Sequence, residues 1–81
     1  MYSYKTSGVC SRAVHFEIEN NIITECRFDG GCSGNTQGVA ALVVGMTVEE
    51  AVRRLKGIRC GLRPTSCPDQ LAIALSRHLN D

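Results

Sequence analysis

The chain has 81 residues, nine basic against eight acidic side chains, and five cysteines. A chain this short buries only about 60% of its unfolded surface, which leaves room for one small domain, residues 1–81, and none for a large catalytic barrel. A hydrophobic fraction of 43% excludes a disordered tail, and the near balance of charge argues against a dedicated polyanion binder, which needs a surplus of Lys and Arg.

The first third reads as strands. Tyr2 to Thr6 is a candidate strand. In Ala13 to Ile18, Val14, Phe16 and Ile18 alternate with Ala13, His15 and Glu17, a period of two. Asn20-Asn21 supplies turn chemistry, because Asn tolerates positive φ. The return strand, Ile22 to Phe28, is expected to set Ile22, Cys26 and Phe28 on one face and Ile23, Glu25 and Arg27 on the other.

After Asp29-Gly30-Gly31 the period changes. Val39, Leu42, Val43 and Met46 follow i, i+3, i+4, i+7 spacing and predict one buried helical face, with Gly45 placed to end that helix. Thr47 and Glu50 match a capping box ahead of a helix carrying Val48, Ala51, Val52 and Leu55 and stopping at Gly57. A third helix is expected from Pro68, a favoured first position, burying Leu71, Leu75 and Leu79. Strands followed by helices define an α+β class. Arg53, Arg54, Lys56, Arg59 and Arg63 crowd one stretch. Without interleaved aromatics they read as a solvated helix end rather than a sequence-specific nucleic-acid reader.

The start of the chain lacks a basic segment followed by an apolar one, and no run approaches the ~20 apolar residues of a membrane span. A cytoplasmic location and no membrane partner are therefore expected. In a reducing compartment, cysteines more often hold metal or do redox work than form structural disulfides. Cys10 precedes the hairpin, Cys32 stands ahead of the first helix, Cys60 follows the Gly57 stop, and Cys67 opens the third helix. The N-terminus of a helix presents partial positive charge and free N–H groups, both of which favour a thiolate. Cys26 alone lies inside a strand. No C-x2-C knuckle occurs, so this is not a zinc ribbon or finger. Three readings stay open: a metal site at the four loop cysteines, scattered apolar thiols, or a redox pair at Cys60 and Cys67. His15 and His78 read as ordinary surface histidines, and Asp69 as an acid complementing a helix dipole.

The strings GVC at 8–10, GGCSGN at 30–35, LKGIRCG at 55–61 and TSCPDQLA at 65–72 resemble the TSCPD domain family over nearly the whole chain. That family's domain also occurs at the C-terminus of adenosylcobalamin-dependent ribonucleotide reductases, and stand-alone copies are often labelled ribonucleoside-diphosphate reductase for that reason. The resemblance implies a metal site at Cys10, Cys32, Cys60 and Cys67, holding Zn2+ or an iron–sulfur cluster. It also implies ribonucleotide reductase or another redox enzyme as partner. The chain is too short to hold both a radical generator and a nucleotide barrel, so the implied role is accessory.

The run from His15 to Ala51 is more distantly similar to U-type iron–sulfur scaffolds, with Cys10, Cys32 and Cys67 as the equivalent cysteines. Those scaffolds carry a carboxylate beside their first cysteine, where this chain has Ser11-Arg12. That likeness implies a three-stranded antiparallel sheet with three helices packed on one face and the site at one end. An iron–sulfur carrier and a dithiol electron donor are the alternative functions.

Overall fold

A computed structural model of the chain describes residues 2–6, 8, 11–30, 33–59, 61–62 and 64–80. Three strands, β1 (Tyr2–Lys5), β2 (Ser11–Glu19) and β3 (Ile22–Gly30), precede three helices, α1 (Ser33–Val43), α2 (Val48–Leu55) and α3 (Cys67–Asn80). The sheet is an antiparallel meander in the order β1-β2-β3. The α+β architecture expected from the order of periodicities is the one observed. No described helix is long and apolar enough to cross a membrane.

The β2–β3 hairpin closes through Asn20 and Asn21, at φ 53° and 65°. Two successive positive φ values match the primed two-residue turn, whose twist suits the flanking strands. Two register shifts interrupt the ladder. Glu17 pairs with Glu25 but Ile18 with Ile23, and Ser11 pairs with Gly30 but Ala13 with Asp29. Thr24 and Arg12 are therefore extra residues, and each reverses the in–out alternation beyond it.

The first bulge overturns one expectation. Ile23 was assigned to the outer face, yet it is fully buried, while Ile22 is only partly covered. The second bulge carries Ser11 inward, and its consequence appears at the candidate site.

The core joins Val14, Phe16 and Ile23 of the sheet to Val43, Val48, Ala51, Leu71, Ala74 and Leu75 of the helices. Gly45, at φ 96°, donates its N–H to the Ile23 carbonyl at 2.8 Å, and Ile23 donates to Met46 O at 2.9 Å. These bonds fix the α1–α2 turn against the start of β3.

Two predicted core residues lie elsewhere. Leu42 is 71% exposed. It sits at the edge of α1's apolar arc and lines a groove against Arg54 and Leu55 of α2. Leu79, in α3's final turn, is 42% exposed, because the contacts of α3 with the sheet end around Ala74 and His78.

At α2, Thr47 Oγ1 accepts from the Glu50 N–H at 3.2 Å. The returning half of the capping box is replaced. The Glu50 carboxylate instead takes Arg53 and Arg54, each at 2.6 Å, because two guanidiniums one turn on outcompete a single backbone N–H.

Candidate metal centre

Of the four cysteines singled out in the sequence, Cys67 is described; Cys10, Cys32, Cys60 and also Arg63 lie outside the described residues. The string Thr65-Ser66-Cys67-Pro68-Asp69 builds the mouth of α3. The helix starts one residue before the expected Pro68. Ser66 is its cap: the Ser66 carbonyl accepts from the Gln70 N–H at 2.8 Å, and its Oγ accepts from the Asp69 N–H at 3.2 Å. This places Cys67 as the first helical residue, with Pro68 in the first turn where a missing N–H costs nothing.

The same short string ties down the loop ahead of it. Ser66 Oγ donates to the Ile58 carbonyl at 2.6 Å. The Asp69 carboxylate accepts the Gly57 N–H at 2.7 Å and the Thr65 hydroxyl at 2.5 Å. Asp69 is 8% exposed, so its role exceeds the dipole complement expected for it. It clasps the end of α2, where Gly57 turns at φ 86°, to the start of α3.

Cys67 is buried, and its Sγ lies 3.1 Å from Ser11 Oγ. The Arg12 bulge is what turns Ser11 inward. Ser11 in turn is held by Thr6, whose hydroxyl donates to the Ser11 carbonyl at 2.6 Å. Gly8 approaches the same corner with φ 73°, and a Cβ there would stand 3.2 Å from Thr65 Cγ2. A glycine meets both the positive φ and the close approach. Sequence reasoning missed Thr6, Ser11, Thr65 and Ser66. The adjacency of Ser11 to Cys10 was the available signal, but only the bulge gives it meaning.

Cys26 lies on the core side of β3, packed against the hydrophobic cluster. Burial pushes its thiol up to about 11, offset only in part by a backbone hydrogen bond from Arg27. Such a thiol acts as an apolar filler rather than as a nucleophile or ligand.

His15 is more than a surface histidine. Its Nε2 lies 2.7 Å from Asp29 Oδ2 and its Nδ1 2.7 Å from Ser3 Oγ. A neutral ring satisfies both if Nε2–H donates to the carboxylate and Nδ1 accepts from the hydroxyl. This row crosses all three strands. It holds the Asp29 carboxyl below the usual carboxylate range, chiefly through the His15 hydrogen bond. The basic run behaves as a solvated helix end where it is described, since Arg53 and Arg54 both turn to Glu50.

Among the described residues, no three His, Cys, Asp or Glu side chains come together to hold a metal. The one described donor suits a soft ion. Cys67 offers a buried sulfur at a helix start, with a hydroxyl beside it able to donate to a thiolate.

The fold and this corner define a small α+β domain whose polar linchpin is the opening turn of its last helix. The chain belongs to the TSCPD domain family, whose model matches residues 2–79. No curated protein and no solved structure matches.

Proposed function

We propose that this TSCPD domain is a four-cysteine metal-binding module, with Cys10, Cys32, Cys60 and Cys67 as ligands, that serves ribonucleotide reduction as an accessory rather than as the catalyst. One observation supports it above all: described chain neighbours of the other three cysteines converge on the turn that carries Cys67. Gly8 and Ser11 bracket Cys10, and they touch Thr65 and Cys67 respectively. Gly30, two residues before Cys32, pairs with Ser11. Ile58, two residues before Cys60, is bonded to Ser66. Two residues of chain span at most about 7 Å, and this closeness of the described neighbours is what supports one shared site.

Four thiolates suit Zn2+ or an iron–sulfur centre. Within such a site Ser11 would donate a hydrogen bond to the Cys67 sulfur, and Asp69 and Ser66 would hold the Cys60 loop and helix α3 in register. When bound, the metal would supply cross-linking of four chain segments or, as a cluster, electron transfer. A partner of the reductase class is inferred from the family's occurrence at the C-terminus of such enzymes.

Metal analysis with thiol counting and an optical spectrum on anaerobically purified protein test the proposal. The expected result is one ion or cluster per chain, with the four ligand thiols closed to alkylation in the folded protein and all five open once it is denatured and chelated. Visible absorption selects the cluster over zinc. Five titratable thiols with no bound metal would overturn it, in favour of a dithiol role for Cys60 and Cys67.

A further inference from the structure

At the far end of α3 from Cys67 lies a second concavity, formed by β1 and the helix. Tyr2, Ser3, Tyr4, Phe16, Ala74, Arg77 and His78 line a groove of about 390 Å³, inside the ~300–1,000 Å³ range of small-molecule sites. At 1.5 Å rise per residue, roughly 15 Å of helix separates it from the cysteine corner. It is therefore independent of the metal reading.

Its composition is unlike the rest of the molecule. The chain has two Tyr, two Phe and no Trp, and three of those four aromatics line this groove. They are not simply core. Phe16 is buried, but Tyr2 is 45% exposed. Tyr2 stacks on Phe16 with ring centroids 5.6 Å apart, and the His78 ring meets Tyr2 edge-on at 4.4 Å. The Arg77 guanidinium stands 5.0 Å from the Tyr4 ring centre. Among the described residues, no carboxylate lines the groove.

The end of α3 carries about half a negative charge, which the full positive charge of Arg77 outweighs. We propose that this groove binds a flat aromatic group bearing a phosphate, a nucleoside monophosphate in the simplest case. The ring stacks in the Tyr2–Tyr4 wall, and the phosphate meets Arg77. Stacking on aromatic side chains is tolerant of base identity, and guanidinium suits phosphate geometry.

Both tyrosines line the groove and tryptophan is absent, so intrinsic fluorescence reports this site alone. Titrating the intact protein with adenosine monophosphate, with adenosine and with inorganic phosphate is expected to show saturable binding of the first. The other two bind at least about tenfold more weakly, as expected when a stack or a charge-assisted pair is lost. NMR shifts should map to Tyr2, Tyr4, Arg77 and His78. Arg77→Gln, at an exposed position, should weaken adenosine monophosphate about tenfold with an unchanged melting curve, and Tyr2→Leu should do likewise. No saturable binding, shifts that map elsewhere, or equal affinity in Arg77→Gln would overturn the proposal. So would a single-stranded oligonucleotide binding more than a hundredfold tighter than the mononucleotide, which would assign the groove to nucleic acid.

Discussion

Asp69 shows how much one side chain can hold in a domain of this size. Its carboxylate accepts from Gly57 N–H and Thr65 Oγ–H while nearly buried. Truncating it strands a buried donor, and bonds to charged groups are worth about 1.5–3 kcal/mol each. Asp69→Ala should therefore lose about 3 kcal/mol in chemical denaturation, and Asp69→Asn less, because its oxygen can still accept one of the two bonds. An Asp69→Ala variant as stable as the parent would remove the clasp from the account.

Asp29 gives a second test, read in pH. Its folded carboxyl titrates below the ordinary 3.8 because His15 bonds the ionised form. Its contribution is complete above the unfolded value and is lost as pH falls through the depressed folded one. Asp29→Asn should flatten the acid limb of stability below about pH 4 and leave the neutral plateau with the same slope. An unchanged acid limb would contradict the pairing. Both roles were half legible in the sequence. Asp69 was visibly in a first helical turn and His15 on an outward strand position, but Gly57 lies 12 residues from Asp69 and Asp29 14 from His15, and no local pattern names those pairings.

At the scale of elements, periodicity carried the strands and helices, and the bulges hid the faces. Val14, Phe16, Val48, Ala51, Leu71 and Leu75 were placed correctly because each lies in an unbroken period of two or about 3.6. Ile23 was not, and the inward turn of Ser11 was not foreseen, since each lies beyond an inserted residue that nothing in a single sequence marks. Ile23→Ala should therefore destabilise by about 2–5 kcal/mol in denaturant, as expected for truncating a buried aliphatic side chain, and Ile22→Ala by clearly less. Equal losses at the two positions would contradict the bulge. Thr47→Ala should cost about 1 kcal/mol by removing the observed cap on α2, and helical content measured by circular dichroism should fall with it. Of the proposed cysteine corner, Cys67 at a helix start was legible, while Cys10, Cys32 and Cys60 lie outside the described residues. The frame around it, from Thr6 through Ser11 to Ser66, was not, because it joins segments up to 56 residues apart.

For the molecule as a whole, the proposed centre would do what a small core cannot. Domains near this size hold only a few kcal/mol, and an ion joining four chain segments adds its binding energy to folding. Each kcal/mol moves the midpoint of such a domain by about 4–8 °C. Chelation, or Cys60→Ser, should therefore lower the melting temperature by at least about 10 °C. A metal-free, reduced protein with the same melting point and the same dispersed NMR spectrum would rule out a structural metal. The most direct measurement is bound metal per chain in the parent and in five single variants, Cys10→Ser, Cys26→Ala, Cys32→Ser, Cys60→Ser and Cys67→Ser, all purified without oxygen. The account predicts full occupancy in the parent and in Cys26→Ala, whose half-buried thiol only packs, and loss in the other four. Loss of metal from Cys26→Ala, or its retention in any of the other four, would contradict the four-cysteine centre.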